Sequence, residues 1–202
     1  MKMPSPHVFW LFGLSGAGKT TLANQLFHEL QLSGVGVLRL DGDRLRSGLC
    51  SGLGFSDTDR SENIRRAAET ARLAVESNLC VVASFITPLE ASRAIATRVI
   101  GGDRLSLIHL DGSLEVCRKR DVKGLYARST LEGIPNMTGL SSLFQVPAHC
   151  ALTLDTTHAS VSESQRSLRE FAASRMRITM MDPAVFPARD ECRSSLLVPV
   201  NA

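Results

Sequence analysis

Residues 13–20 read GLSGAGKT and satisfy the pattern G-x-x-x-x-G-K-S/T. An apolar, strand-like run at residues 8–12 precedes this segment, and a helix-like stretch at residues 21–26 follows it. A glycine-rich loop between a strand and a helix can wrap backbone N–H groups and a helix N-terminus around a polyphosphate. The alternative, a glycine-rich turn that matches by chance, does not explain the strand and the helix on either side. The segment therefore predicts a phosphate-binding loop for ATP or GTP.

Two side chains of this loop have distinct expected roles. Lys19 is expected to meet the β and γ phosphates, and the hydroxyl of Thr20 is expected to hold Mg²⁺. The positions predicted to bind ATP form one continuous run: Gly13, Leu14, Ser15, Gly16, Ala17, Gly18, Lys19, Thr20 and Thr21.

The composition is typical of one ordinary domain with a tail. The 202 residues are 44% hydrophobic and 21% charged, with a formal net charge of +3 and no basic block, so nothing requires nucleic acid as a partner. There is no run of about 18 apolar residues, and residues 1–7 are too short for a secretory signal, so we expect a cytoplasmic protein without a membrane span. The five cysteines are widely spaced and lack a C-x-x-C pair, which favours reduced thiols over disulfides or a zinc site.

Apolar strand-like runs alternate with amphipathic stretches along the chain, a pattern typical of parallel strands joined by helices. The predicted strands are residues 8–12, 35–40, 79–84, 105–110 and 151–154. The predicted helices are residues 19–32, 61–77, 89–100, 114–120 and 161–173. These elements predict an α/β fold, a doubly wound parallel sheet of about five strands with helices on both faces. Ligands of such sheets bind at the carboxyl ends of the strands.

The predicted second strand ends in a charged segment, DGDRLR at residues 41–46. A carboxylate beside a bound nucleotide can accept a proton from an attacking hydroxyl or hold Mg²⁺ through water, and an arginine can bind an anion with two hydrogen bonds. The alternative is an Asp-Gly turn with solvated charges. The position at a strand end favours the chemical interpretation.

A second candidate segment, GFSDTDRSEN at residues 54–63, precedes the second long helix. Ser56 and Asp59 have the spacing of a helix capping box. Phe55 is interpreted either as a core residue or as a platform on which a base stacks. Arg60 and Asn63, at the helix start, are expected to face the ligand.

Together these segments resemble the adenylylsulfate kinase family, whose members use ATP to phosphorylate the 3′-hydroxyl of adenosine 5′-phosphosulfate. The similarity covers about residues 8–156, in the family's order: GLSGAGKTTLA, LDGDRLRSGL, LGFSDTDRSENIRR, SFITP, LEVCRKRDVKGLY and MTGL. The resemblance implies a P-loop kinase fold, Mg²⁺ with ATP as the cofactor, and a homodimer. It also raises an association with ATP sulfurylase.

The resemblance assigns roles to individual residues. Asp43 becomes the catalytic carboxylate near the acceptor hydroxyl, with a further role as a ligand of Mg²⁺ through water. Lys123 belongs to a lid at about residues 121–147 that closes over both nucleotides. The resemblance places two further groups of residues around the acceptor. Those at the phosphosulfate end are Arg46, Arg60 and Asn63. Those around the adenine and its pocket are Phe55, Ile86, Asn136 and Met137.

Thr87 has two interpretations. Some family members carry a phosphoserine at the matching position, which would make Thr87 a phosphoacceptor. Residues 87–90, TPLE, also match a capping box with proline at the first helical position. The helix N-cap is the favoured interpretation, because direct transfer between two bound nucleotides needs no covalent intermediate.

Several positions depart from the family pattern and leave alternatives for the function. Met137 replaces a phenylalanine that sandwiches the acceptor adenine, and the other departures are Arg44, Ala127 and Leu140. One alternative is a 3′-kinase for a different modified nucleotide. The other is a catalytically weak regulatory module that binds nucleotides.

The C-terminal part of the chain lies beyond the resemblance. Residues 1–174 are assigned to the kinase-like domain, and residues 175–202 to a tail with scattered prolines and no sustained periodicity. A solvated tail and a segment that docks on the domain or on a partner are both compatible with this sequence.

Overall fold

The computed structural model of the chain describes residues 5–121, 124 and 143–180. Within these ranges, five parallel strands form one sheet in the order β2-β3-β1-β4-β5. The strands are β1 (Val8–Phe12), β2 (Val37–Asp41), β3 (Cys80–Phe85), β4 (Leu105–Asp111) and β5 (Leu152–Asp155). The helices are α1 (Lys19–Leu32), α2 (Gly42–Arg46), α3 (Asp57–Glu76), α4 (Glu90–Ile100), α5 (Leu114–Arg120) and α6 (Val161–Met176). The predicted α/β fold with a doubly wound parallel sheet is confirmed.

Alternating side chains of the central strand β1 build a core on each face of the sheet. Phe9 and Leu11 pack in a cluster with buried residues of α1 and α6. Val8, Trp10 and Phe12 point to the other face and pack with buried residues of α3 and α4. Successive side chains of a strand point to opposite faces, so a strand that is apolar throughout belongs in the middle of a sheet covered on both sides.

Helix α3 begins four residues before its predicted start at residue 61. Ser56 is its N-cap, and the Ser56 hydroxyl accepts a hydrogen bond from the backbone N–H of Asp59 at 3.1 Å. The apolar positions Ile64, Ala68 and Val75 are buried against the sheet. The predicted cap spacing is therefore confirmed, and the helix extends back to it.

The predicted N-cap at Thr87 is wrong. Helix α4 begins at Glu90, and its N-cap residue, Leu89, makes no side-chain capping bond. The backbone N–H of Glu90 donates instead to the side-chain oxygen of Gln145 at 2.7 Å. The Thr87 hydroxyl accepts a hydrogen bond from Nε1 of Trp10 at 2.9 Å. The Thr87 hydroxyl and the Glu90 N–H, which the expected cap would have paired with each other, are thus both bonded to groups far away in the sequence.

Helix α6 continues past residue 174. It starts with a capping box in which the Ser160 side chain accepts from the N–H of Glu163 and the Glu163 carboxylate accepts from the N–H of Ser160. Beyond its end, Ile178 and Met180 pack in part against the core. Residues 181–202 lie outside the described residues, so the assignment of a separate tail stays a prediction. None of the helices in the described ranges is long and apolar enough to cross a membrane.

Candidate active site

A cleft of about 320 Å³ lies at the carboxyl ends of β1, β2 and β3. Three segments that follow these strands line it: residues 15–22, residues 41–43 and residues 84–86. Arg120, residues of the loop after β5 and the start of α6 also line it. The cleft is therefore where a doubly wound sheet is expected to bind its ligand, and it brings the glycine-rich loop and the charged DGD segment together.

The glycine-rich loop requires glycine at two positions. Gly16 has a φ of +80°, and a Cβ there would lie 2.6 Å from the carbonyl oxygen of Cys117. Gly13 has a φ of +150°, and its Cβ would lie 2.5 Å from the carbonyl oxygen of Leu110. Both obstacles are backbone atoms, which cannot move aside as a flexible side chain can. The two glycines therefore let the loop lie directly against the end of β4 and against α5.

The first turn of α1 places a cation and two hydroxyls in the cleft. Lys19 is half-buried, and its Nζ donates a hydrogen bond to the carbonyl oxygen of Leu14 at 2.6 Å. Thr20 and Thr21 are exposed and line the cleft. The N-cap of this helix is Gly18, which has no side chain to occupy the amides of the first turn. The arrangement suits a phosphate group, which binds positive charge and helix N-termini.

The segment after β2 is a short helix and not the solvated Asp-Gly turn that was the alternative. Asp41 is the N-cap of α2, and its Oδ1 accepts a hydrogen bond from the backbone N–H of Asp43 at 3.1 Å. Asp43, in the first turn of α2, is exposed and lines the cleft. Arg46 lies three residues further on, which places it on the same side of the helix as Asp43.

Phe55 belongs to a cationic cluster and not to the core. The residue is 61% exposed, so its interpretation as a core side chain is wrong. The Cζ atoms of Arg46 and Arg60 lie 4.5 Å and 5.7 Å from the centroid of its ring. Burial lowers the pKa of the Arg60 guanidinium, and the nearby charge of Arg46 adds to that shift. Two guanidiniums beside an exposed ring suit a ligand that combines a planar base with an anion.

The remaining residues implied for the acceptor are only partly described. Ile86 lines the cleft. Asn63 is 6% exposed, and its side-chain oxygen has no hydrogen-bond partner among the described residues. Lys123, Asn136 and Met137, with most of the implied lid, lie outside the described residues, so their roles stay predictions.

Five further residues that line the cleft were not predicted from the sequence: Arg120, Thr156, Ala159, Val161 and Ser164. Nη2 of Arg120 donates to the carbonyl oxygen of Thr156 at 2.7 Å, which joins the end of α5 to the loop after β5. The buried hydroxyl oxygen of Thr156 has no hydrogen-bond partner in the described part of the chain. These residues could have been found by position, because they follow β5 or end the helix after β4.

The cleft contains oxygen donors of the kind that Mg²⁺ prefers. The hydroxyl-bearing Thr20 and the carboxylate-bearing Asp43 both line it. Proteins usually bind Mg²⁺ through one or two such groups, together with substrate phosphates and water. The residues present therefore suit a magnesium ion that arrives with a nucleotide.

Thr87 can be tested as a phosphoacceptor by removing its hydroxyl. The residue is 1% exposed and has a φ of +40°, so its hydroxyl is buried and its backbone is in the left-handed region. Thr87→Val should leave Nε1 of Trp10 without a partner and lower the free energy of unfolding by about 1–3 kcal/mol. The melting temperature should then fall by about 2–4 °C per kcal/mol, while turnover at 25 °C stays within about threefold of wild type.

The matched control is Thr70→Val, which removes a half-buried hydroxyl on α3 that donates to the carbonyl oxygen of Arg66 one turn earlier. This variant should be close to wild type in both measurements. Loss of turnover in Thr87→Val at unchanged stability, or label retained on wild-type Thr87 after incubation with γ-labelled ATP, would contradict our interpretation.

The fold and the site together define a class of protein. A parallel sheet carries a G-x-x-x-x-G-K-T loop between β1 and α1, and a carboxylate after β2 lies in the same cleft. A phosphate-binding loop that faces a carboxylate able to receive a proton is the arrangement of a P-loop kinase.

Comparison with known proteins identifies the family. The family model described as adenylylsulphate kinase matches residues 5–155. An adenylyl-sulfate kinase of Bacteroides thetaiotaomicron is 47% identical over 163 residues, 81% of each chain, and one of Bacteroides fragilis is 44% identical over 169 residues, 84% of each chain. The structure of the Mycobacterium tuberculosis APS kinase in complex with AMPPNP and APS superposes with a TM-score of 0.79 at 35% identity, covering 84% of this chain and 98% of that chain. The chain therefore belongs to the adenylylsulphate kinase family.

Proposed function

We propose that this protein transfers the γ-phosphoryl group of ATP to the 3′-hydroxyl of adenosine 5′-phosphosulfate, giving 3′-phosphoadenosine 5′-phosphosulfate. The observation that carries the proposal is a single cleft lined by both Lys19 and Asp43, in a chain of this family. The relatives named adenylyl-sulfate kinase and the neighbour that holds AMPPNP and APS support the choice of substrates.

The donor nucleotide lies along the glycine-rich loop, and residues 13–21 contact its phosphates. Phosphoryl transfer depends on in-line positioning and charge neutralisation more than on covalent chemistry. Nζ of Lys19 exchanges its hydrogen bond to the Leu14 carbonyl oxygen for bonds to the β and γ phosphates. The Thr20 hydroxyl, and the Asp43 carboxylate through water, would hold a magnesium ion, which would supply positive charge to neutralise the phosphate oxygens.

The acceptor nucleotide is bound by the cluster that follows α2. Arg46 and Arg60 take the anionic phosphosulfate end, and the adenine stacks on the exposed ring of Phe55. The Arg46 guanidinium already lies 4.5 Å from this ring, while its Nη1 is held by the Gly54 carbonyl oxygen at 2.8 Å. Because α2 carries both Arg46 and Asp43, binding of the anion at one end of the helix places the acceptor beside the carboxylate at the other end.

Asp43 acts on the acceptor hydroxyl. Asp43 is exposed and lines the same cleft as the loop proposed to bind the donor phosphates. In this position it orients the 3′-hydroxyl for attack on the γ phosphorus and accepts the proton that the hydroxyl loses. The lid would exclude water, which would otherwise compete as the acceptor.

The two alternative functions receive less support. A different modified nucleotide was suggested by departures from the family pattern, but identities of 40–47% to proteins named adenylyl-sulfate kinase favour adenosine 5′-phosphosulfate. Arg44 is exposed on α2, and the other departures lie outside the described residues. A regulatory module without turnover would not need Lys19, Thr20 and Asp43 together in one cleft.

The assembly and location of the protein stay predictions. The family resemblance implies a homodimer and suggests an association with ATP sulfurylase. Light scattering of the purified chain would measure the first, and light scattering of its mixture with the sulfurylase would measure the second. A cytoplasmic location comes from the sequence.

The proposed function is tested by ADP release with Mg-ATP and a panel of acceptor nucleotides. We expect turnover with adenosine 5′-phosphosulfate, a product phosphorylated at the 3′ position, and loss of turnover when Mg²⁺ is removed with a chelator. Turnover with another nucleotide alone would show that the acceptor is wrong. Binding of ATP without turnover on any acceptor would favour the regulatory module.

A further inference from the structure

Arg39 is a charged residue inside the fold that no motif of the sequence includes. Its side chain is 9% exposed, on β2, two residues before the end of the strand. Its Nε donates to Oδ1 of Asn24 on α1 at 3.2 Å, and its Nη1 donates to the carbonyl oxygen of Val82 on β3 at 3.3 Å. Its Nη2 donates to Oγ of Ser84 at 2.9 Å and lies 3.4 Å from Oδ2 of Asp41. One guanidinium thus connects α1, β2 and β3 beneath the cleft.

These donors converge on the carboxylate of Asp41. Its Oδ2 accepts hydrogen bonds from Ser84 at 2.8 Å and from Arg39 at 3.4 Å, and its Oδ1 accepts from the backbone N–H of Asp43 at 3.1 Å. Asp41 and Ser84 both line the cleft, so the network reaches its surface. The Asp41 carboxylate is therefore fixed on one side by Arg39 and Ser84 and itself fixes the start of α2 on the other side.

Helix α2 depends on this cap because it is only five residues long. So short a helix has few internal hydrogen bonds to define its direction, and isolated helices of this length are not stable in water. The Asp41 side chain caps the helix by accepting the backbone N–H of Asp43. The direction in which Asp43 points therefore depends on where the Asp41 carboxylate is held.

We propose that Arg39 is a positioning residue, which sets the orientation of Asp43 toward the acceptor hydroxyl by holding Asp41 in place. The catalytic part of this inference rests on the proposed function, while the link from Arg39 to Asp43 does not. A planar guanidinium that donates in several directions is needed, because a lysine ammonium is a point charge without the fixed fork. Burial lowers the pKa of Arg39, and the adjacent Asp41 carboxylate opposes that shift.

The first test combines amide hydrogen exchange with steady-state kinetics in the full chain. Arg39→Met keeps the apolar stem and removes the guanidinium. We expect the Asp43 amide to exchange at least about tenfold faster than in wild type, since its acceptor is released. We expect kcat with adenosine 5′-phosphosulfate to fall about tenfold to a hundredfold, with the KM for ATP within about twofold of wild type. The matched control, Arg72→Met, removes an arginine paired with Glu69 and Glu76 on the exposed face of α3 and should change neither value.

The second test separates positioning from a general loss of structure. If Arg39 acts through Asp43, then Arg39→Met should lower turnover by less than about twofold more in a chain that already carries Asp43→Ala. A purely structural role would lower turnover by the same factor in both backgrounds. Should Arg39→Met fail to fold, Arg39→Lys, which keeps the charge and loses the fork, permits the same comparisons.

Each outcome decides the proposal. Faster exchange of the Asp43 amide, with a kcat effect that disappears in the Asp43→Ala background, supports it. Unchanged exchange of that amide, or equal kcat effects in both backgrounds, overturns it. If wild type has no turnover with adenosine 5′-phosphosulfate while Arg39→Met still accelerates exchange at Asp43, the proposed function fails and the positioning link stands.

Discussion

Asp43→Ala is expected to reduce kcat by about 10²–10⁴-fold while ATP still binds. Loss of a group that removes a proton in the transition state typically costs this much. ATP binding should persist because, in the proposed function, the donor phosphates contact residues 13–21 of the glycine-rich loop. The measurements are kcat with adenosine 5′-phosphosulfate and the dissociation constant of a nonhydrolysable ATP analogue. We expect that dissociation constant to stay within about threefold of wild type.

Two further variants sharpen this prediction. Asp43→Asn keeps the shape and a hydrogen-bond acceptor but cannot take a proton, so it should lose nearly as much turnover as Asp43→Ala. Asp103→Ala removes an aspartate whose side chain is 82% exposed, after α4 and away from the residues that line the cleft, and it should be indistinguishable from wild type. Near-normal turnover in Asp43→Asn would show that Asp43 orients the acceptor without accepting its proton.

The parts of the fold that were predictable from sequence are those fixed by local pattern. The bounds of β1, α1 and α5 agree with the predicted ones, because an apolar run, a glycine-rich loop and a capped amphipathic stretch are signals within a few residues. The other four strands begin or end within two residues of the predicted positions. Parallel topology followed from the alternation of strands and helices.

Contacts between distant residues limited the prediction elsewhere. Thr87 matched a local capping motif, yet its hydroxyl accepts from Trp10, 77 residues earlier in the chain. The motif predicts that the backbone N–H of Glu90 donates to the nearby Thr87 side chain, but this N–H donates to Gln145, 55 residues later. The tertiary structure brings Trp10 and Gln145 close to these groups, and no local sequence pattern predicts that proximity.

In the candidate site, too, local motifs were predictable from the sequence and contacts between distant residues were not. The loop with Lys19 and the carboxylate of Asp43 were found from motifs, and the structure places them in one cleft. Helix α2 was missed because its five residues are too few to show a helical period, and its cap is stabilised by Ser84 and Arg39 on neighbouring strands. The motif therefore identifies Asp43 as the candidate reactive group, while contacts made by the fold determine its orientation.

Lys19→Ala is expected to impair both substrate binding and chemistry. In the proposed function, the Lys19 ammonium is the charge that meets the β and γ phosphates, where negative charge shifts during transfer. Its loss should lower kcat by about a hundredfold to a thousandfold, the usual cost of removing one such donor. A hydrogen bond to a charged group contributes about 1.5–3 kcal/mol, so the affinity for ATP should also fall by about tenfold or more. The kinetics and the affinity for a nonhydrolysable ATP analogue are the measurements.

Stability separates this effect from misfolding. In the described structure Nζ of Lys19 donates to a carbonyl oxygen of its own loop, so Lys19→Ala should leave the melting temperature nearly unchanged. Lys119→Ala is the matched control, because Lys119 is 73% exposed and pairs with Glu115 on α5. The two active-site variants should therefore differ in kind: Asp43→Ala loses turnover at nearly constant ATP affinity, and Lys19→Ala loses both. If Lys19→Ala bound the ATP analogue as wild type does, the assignment of residues 13–21 to the donor phosphates would have to be withdrawn.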